Sequence, residues 1–134
     1  MKSKLLKKSN IIIISGPTAT GKSDLAIKIA SMINGEIVNA DSMQVYKYFN
    51  ILTSQPSHSQ KKKIKHHLYG YIEPKVKMTA ARWLEDIKIP IEKILKKRKI
   101  PILVGGSGLY LEFLINGISQ IPSIKKKIKN QSRK

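Results

Sequence analysis

Apolar residues in this chain come in short blocks separated by polar, often glycine-bearing turns. Residues 11–14 are consecutive isoleucines between Asn10 and Ser15, and so short a β-branched run reads as a strand buried on both faces. The period then changes. Leu25, Ala26, Ile29, Ala30 and Ile33 fall at helical spacing from Ser23 onward, and Asn34-Gly35 marks the stop. Residues 36–40 read as a second strand. Residues 47–65 read as a surface loop, with Pro56 and consecutive lysines at 61–63. Residues 66–72 read as a third strand ending at Glu73-Pro74. Thr79 can cap a long helix whose apolar face carries Ala80, Trp83, Leu84, Ile87, Ile91, Ile94 and Leu95. This places Trp83 in the core. Pro90 predicts a kink or break near 89, because proline removes a backbone hydrogen bond. The basic run 96–99 suits a helix C-terminus. Residues 100–104 are a fourth buried strand, with Pro101 near its start where proline is tolerated. Gly105-Gly106-Ser107-Gly108 follows, then a helix over 109–115, stopped near Gly117. Beyond Ile118 the pattern fades into a basic tail that either starts another helix or is disordered.

Strands alternating with helices predict an α/β fold, a mostly parallel sheet with helices on both faces. The chain divides into a basic extension over 1–9, an α/β domain over 10–120 and a basic tail over 121–134. Four strands make a small sheet, so the fold is expected to be incomplete as given. A length of 134 residues and 41% hydrophobic content suit one packed domain. The absence of cysteine excludes disulfides and zinc–thiolate sites and fits a reducing cytoplasm. The apolar run at 11–14 is too short for a signal peptide, and no stretch approaches the ~20 apolar residues of a membrane span. The net charge is +18. Two readings stay open: a solvated lysine surface, or a polyanion partner such as RNA, bound in a salt-sensitive way.

The candidate chemistry starts at Gly16-Pro17-Thr18-Ala19-Thr20-Gly21-Lys22-Ser23. This fits the phosphate-loop pattern G-x-x-x-x-G-K-[ST] at every fixed position, between a strand and a helix as the pattern requires. Its glycines let backbone N–H groups turn inward on phosphate oxygens. Lys22 can neutralise an outer phosphate, Ser23 can ligate Mg²⁺, and the helix N-terminus adds its dipole. The fold class is therefore P-loop NTPase-like. Ligands gather at the carboxyl ends of strands in such sheets, so Asp41, just past strand two, is placed to face the same crevice. The competing reading is that Asp41 or Ser42 merely caps a short following helix. Gly105-Gly106 gives the crevice a second wall. His66 and His67 point to opposite faces of a strand, and His58 has no ligand-like spacing, so a metal site there is not expected.

Four blocks occur in one order: residues 16–23, Asp41-Ser42-Met43-Gln44-Val45-Tyr46-Lys47, His66-His67-Leu68, and residues 102–110 reading I-L-V-G-G-S-G-L-Y. Together they closely resemble the N-terminal half of bacterial tRNA dimethylallyltransferases (tRNA isopentenyltransferases). The resemblance covers roughly residues 10–123. The D-S-M-Q-V-Y-K block discriminates, since ordinary phosphate-loop kinases do not carry it. The resemblance implies transfer of a dimethylallyl group from dimethylallyl diphosphate to N6 of the adenosine just 3′ of the anticodon in certain tRNAs, by a usually monomeric, cytoplasmic enzyme. It implies that the phosphate loop, Gly16, Pro17, Thr18, Ala19, Thr20, Gly21, Lys22 and Ser23, holds the donor diphosphate with Mg²⁺. Lys22 would stabilise the leaving group and Ser23 support the metal. Asp41 would accept the proton from the adenine amine. Asp41, Ser42, Met43, Gln44, Ser107 and Lys129 would contact tRNA.

The family is about twice as long as this chain. Its helical insertion, expected after residue ~125, and its C-terminal half are not in this sequence, so a weakly active or inactive truncated form, or one completed by a second chain, is expected. Two further readings remain. One is a small phosphate-loop kinase of a nucleotide or metabolite, binding ATP at the same loop, for which only Arg82 and Arg98 offer lid arginines. The other is a non-catalytic RNA-binding fragment.

Overall fold

The structure, a computed structural model, describes residues 10–16, 21–47, 55–106, 110, 112, 114 and 128–129. The extension 1–9, most of the tail and several loop positions lie outside these residues. The strands are β1 (Ile12–Ser15), β2 (Gly35–Asn39), β3 (His66–His67), β4 (Ile100–Gly105) and β5 (Ile128–Lys129). They form one sheet in the order β3-β2-β4-β1-β5, and every pairing is parallel. The central pairings run Ile12–Ser15 against Ile102–Gly105, and Gly35–Asn39 against Ile100–Val104. The α/β parallel sheet with flanking helices is thus as the sequence predicts.

Helices cover both faces. On β1, β2 and β4, Ile14, Ile37, Ile102 and Val104 point to one side, where Ala26, Ile27 and Ala30 of α1 (Lys22–Ile33) meet them. Ile13, Val38 and Leu103 point to the other side, against Trp83, Ile87, Ile91 and Ile94 of α3 (Ala80–Lys96). The strand period of two sorts neighbouring residues into the two cores. The contact face of α1 differs from the expected one: Ile27 is buried and Leu25 is 44% exposed. Ala26 and Ala30, one turn apart, let the backbone of α1 approach the sheet closely, and Ile27 rather than Leu25 shares their side.

Several boundaries correct the sequence reading. The expected loop 47–65 contains α2 (His58–Lys63), started by a capping box between Ser57 and Gln60. Residues 48–54 of that loop lie outside the described residues. The expected third strand stops after His67, because Leu68 (φ 68) and Gly70 (φ 58) turn the chain away. Ile72 returns only as an isolated bridge to Tyr46. The tail contributes β5, pairing Ile14 with Ile128 and Ser15 with Lys129, so the sheet has a fifth strand. Thr79 caps α3 as expected, its hydroxyl accepting from the Arg82 N–H at 3.1 Å. Pro90 does not break that helix, which runs continuously from Ala80 to Lys96. An interior proline costs about 3 kcal/mol. Burying Trp83 and Ile87 before it, and Ile91 and Ile94 after it, returns roughly 2 kcal/mol each, so the helix survives.

The amino end of β2 carries a group that hydropathy does not reveal. Glu36 is 1% exposed. One carboxylate oxygen lies 2.7 Å from His67 Nε2, and the other accepts from Lys97 Nζ at 2.6 Å with Lys99 Nζ at 3.2 Å. Burial opposes the charge, but these hydrogen bonds prevail and hold its pKa at about 2. Two strands and the end of α3 are thereby tied together. Because the folded pKa lies below the ordinary 4.5, the stabilisation is complete above that pH and lost as pH falls toward 2. Burial also lowers His67 from its ordinary 6.5, so its protonation adds destabilisation in the same direction as the medium is acidified. Glu36→Gln should cost about 2 kcal/mol at pH 7, the range for hydrogen bonds to charged groups. Urea unfolding followed by Trp83 fluorescence between pH 7 and pH 2 checks this. The variant should lose less stability below pH 4.5 than the parent does, keeping only the share of His67 and other groups, and an identical pH slope in both would refute the assignment.

Candidate active site

The carboxyl ends of β1, β2 and β4 meet at one point, and the glycines after β1 and within β4 are what allow it. A Cβ built on Gly105 would fall inside contact distance of the Ala40 carbonyl and 2.8 Å from the Asp41 nitrogen. One on Gly106 would lie 2.7 Å from the Gly16 carbonyl oxygen and 3.9 Å from Lys22 Nζ. Gly16, Lys22, Asp41 and Gly105-Gly106 therefore line one crevice. Gly21 is required for a different reason. It precedes α1 in the left-handed conformation (φ 80), with open space where a Cβ would be. Lys22 and Ser23 then occupy the first turn of α1. Burial lowers the Lys22 pKa, and the Asp41 charge pushes back upward. The carboxylate is thus within electrostatic range of the ammonium.

Asp41 sits in a turn built by its neighbours. The ladder's last rung is Ala40 N–H to the Val104 carbonyl, 2.8 Å. Asn39, 0% exposed, then folds its side chain over the turn. Its Oδ1 accepts from the Asp41 N–H at 2.8 Å, and its Nδ2 donates to the carbonyls of Asp41 (3.1 Å) and Leu68 (3.0 Å). Trp83 Nε1 donates to the Asn39 carbonyl at 2.9 Å. Asp41 Oδ1 accepts from the Met43 N–H at 2.8 Å. The capping reading of Asp41 is thus correct in kind, but what it caps is a turn and not a helix. The following residues are strapped to the segment after β3: Gly70 N–H donates to the Gln44 carbonyl, and Tyr71 and Ile72 N–H both donate to the Val45 carbonyl. Asp41, Ser42 and Gln44 are half-buried and Met43 is 56% exposed, so the block borders solvent at the crevice.

Aromatic rings close the space behind Asp41. Trp83 stacks on Tyr110 with centroids 4.9 Å apart. Burial, reinforced by Tyr46, Asp41 and Asp86, pushes the Tyr110 phenol up to about 12. Burial and the charge of Asp41 likewise raise Tyr69. Tyr71 donates to Asp86 Oδ2 at 2.7 Å. These phenols stay protonated near neutrality. The structure brings together Gly16, Gly21, Lys22, Ser23 and Asp41 to Gln44. The β5 pairing sets Lys129 opposite Ser15, at the same end of the sheet. Pro17, Thr18, Ala19, Thr20 and Ser107 lie outside the described residues. Arg82 is paired with Asp86 at 3.4 Å, and Arg98 follows the far end of α3, at the amino ends of the strands. Sequence reasoning missed Asn39. Its one signal was a polar residue at the last position of a buried strand, which must find partners inside the protein.

Residues 44–134 match the family model described as IPP transferase. The chain is 57% identical over 127 residues to the tRNA dimethylallyltransferase of Pelagibacter ubique, covering 95% of this chain and 41% of that protein. It is 44% identical to the tRNA dimethylallyltransferase of Ehrlichia chaffeensis, with 94% and 41% covered. Among solved structures it resembles the tRNA isopentenylpyrophosphate transferases of Staphylococcus epidermidis (TM-score 0.76, 36% identity, 80% of this chain and 35% of that one) and Bacillus halodurans (TM-score 0.77, 32% identity, 82% and 36%). It also resembles a eukaryotic dimethylallyltransferase acting on tRNA (TM-score 0.74, 38% identity, 78% and 26%). The chain thus spans less than half the length of these relatives. This chain belongs to the IPP transferase family.

Proposed function

We propose that this chain carries the prenyl-donor site of a tRNA dimethylallyltransferase. The observation that supports the reading is the meeting of one ammonium, Lys22, and one carboxylate, Asp41, across Gly105-Gly106. The donor is dimethylallyl diphosphate and the acceptor is N6 of the adenosine beside a tRNA anticodon. The amine nitrogen forms a bond to the allylic carbon, the bond from that carbon to the diphosphate oxygen breaks, and diphosphate departs. The amine proton becomes acidic only as the new bond forms, and Asp41 takes it. Charge grows on the departing diphosphate, so Lys22, the backbone N–H groups of the loop 16–23 and the N-terminus of α1 stabilise the transition state.

The residues fit a diphosphate. Gly106 has no room for a side chain, a Cβ there falling 2.7 Å from the Gly16 carbonyl oxygen and 3.9 Å from Lys22 Nζ, so the turn after β4 packs closely beside the loop that carries the ammonium. They also fit Mg²⁺, which is held through one or two protein oxygens and completes its shell with phosphates and water. Ser23 would supply one, and the metal would offset charge on the phosphates. Ser42, Met43, Gln44, Ser107 and Lys129 would meet tRNA, whose target base leaves its stack to enter. The net charge of +18 favours the phosphate backbone of such a partner. No helix among the described residues is long and apolar enough to cross a membrane, and the reading puts the chain in the cytoplasm with its tRNA.

Titration of dimethylallyl diphosphate with Mg²⁺ into the purified chain, beside a parallel titration of ATP, tests this. Saturable binding of the prenyl diphosphate should weaken roughly 10- to 100-fold in Lys22→Ala, the worth of a charge-assisted phosphate contact. Binding of ATP alone would overturn the donor reading in favour of a kinase, and binding of neither would remove it. Gly106→Ala should weaken the same binding about tenfold and also lower the thermal midpoint, because its methyl group would meet the Gly16 backbone carbonyl at 2.7 Å and push the phosphate loop away from β4. Unchanged affinity in that variant would show that this close approach does not shape the diphosphate site.

A further inference from the structure

We propose that Asn39 is a positioning residue for Asp41, its side-chain amide clamping both sides of the Asp41 residue and the Leu68 carbonyl so that the carboxylate is held in place at the crevice. The inference rests on the donor–acceptor reading above and deepens it. Three observations converge. The β2–β4 ladder ends at Ala40, so the N–H and C=O of Asp41 have no strand partner. Asn39 supplies both, Oδ1 to the N–H at 2.8 Å and Nδ2 to the C=O at 3.1 Å. A primary amide is the smallest side chain that donates and accepts in one plane, which no hydroxyl or carboxylate can copy. The second Nδ2 hydrogen reaches the carbonyl of Leu68 at 3.0 Å, across 29 positions of sequence. Leu68 holds φ 68, a conformation uncommon for leucine, and is kept there by surrounding structure. Trp83 completes the clamp from the core side through the Asn39 carbonyl. Asn39 touches neither the crevice glycines nor the phosphate loop in any of these bonds; it acts through Asp41.

A buried asparagine could instead serve only to satisfy its own surroundings. The two roles separate in the side-chain rotamer of Asp41. The experiment is NMR measurement of the three-bond Hα–Hβ and N–Hβ couplings of Asp41 in the unliganded chain. The parent should show one χ1 rotamer. Asn39→Ala should show couplings averaged over several rotamers, because the loosened turn no longer fixes the carboxylate. Asn39→Ser, whose hydroxyl can still accept from the Asp41 N–H, should fall between the two. If Asn39→Ala fails to fold, Asn39→Ser decides the question. A single Asp41 rotamer kept in the Asn39 variants would overturn the proposal, and so would averaged couplings in the parent. Prenyl-diphosphate binding is measured separately, so loss of the donor reading and loss of this positioning role give different results.

Discussion

The close approach of Gly105 to the Ala40 carbonyl is the constraint on which the crevice depends. Parallel strands normally keep their carboxyl ends a strand spacing apart, and side chains fill the gap above them. Here β4 ends without side chains, so the backbone turning out of β2 leans across it, and the phosphate loop leaving β1 leans in from the other side at Gly106. Two sparsely substituted residues thus decide how near Lys22 and Asp41 come. Any β-carbon at 105 would have to move the Ala40–Asp41 peptide, and the whole turn held by Asn39 would move with it. Packing at a glycine and chemistry at a carboxylate are here one problem.

Helix α3 secures β2 at both ends by different physics. At the carboxyl end the contact is neutral: the indole of Trp83 donates to the Asn39 carbonyl and stacks on Tyr110. At the amino end it is ionic, with Lys97 and Lys99 on Glu36. An isolated buried carboxylate is costly. In a chain with 26 lysines and arginines against 8 acids, a buried acid is easily surrounded by cations, whereas a buried lysine would compete for few anions. The ionic end therefore suits the composition. It also lies away from the crevice, so it can be strongly charged without perturbing Lys22 and Asp41.

The hydrophobic runs carried the strand positions, and the 3.6-residue spacing with Thr79 carried α3, because burial on two faces and on one stripe leave distinct periodic traces. The phosphate-loop pattern and the D-S-M-Q-V-Y-K block carried the family's identity, since both are fixed local strings of residues. What the sequence hid was mostly non-local. The truncation of β3 at Leu68 depends on a positive φ that nothing about leucine announces. The pairing of Glu36 with His67, Lys97 and Lys99 joins positions up to 63 apart, invisible to any local window. Pro90 misled because its local cost was weighed without the apolar side chains on either side of it. Leu25 misled because apolarity alone does not say which face of α1 lets the backbone approach. Asn39 went unremarked because its partners, Asp41 and Leu68, converge only after the strand has ended.

The crevice sets two opposing influences on one ammonium. Burial withdraws water from Lys22 and favours its neutral form, and Asp41 favours the charged form. In the proposed donor site a bound diphosphate would add negative charge beside the same nitrogen and move the balance further toward the cation. The ion held by a protonated Lys22 would thus promote that protonation on binding. The carboxylate would have the opposite relation to the phosphates: like charges would keep it from joining them and leave it for the acceptor side. A rigid turn matters for this division of labour. A carboxylate free to swing would not stay where an acceptor's proton would leave. The clamp on Asp41 keeps the pair near enough to feel each other and leaves room between them for the reacting groups.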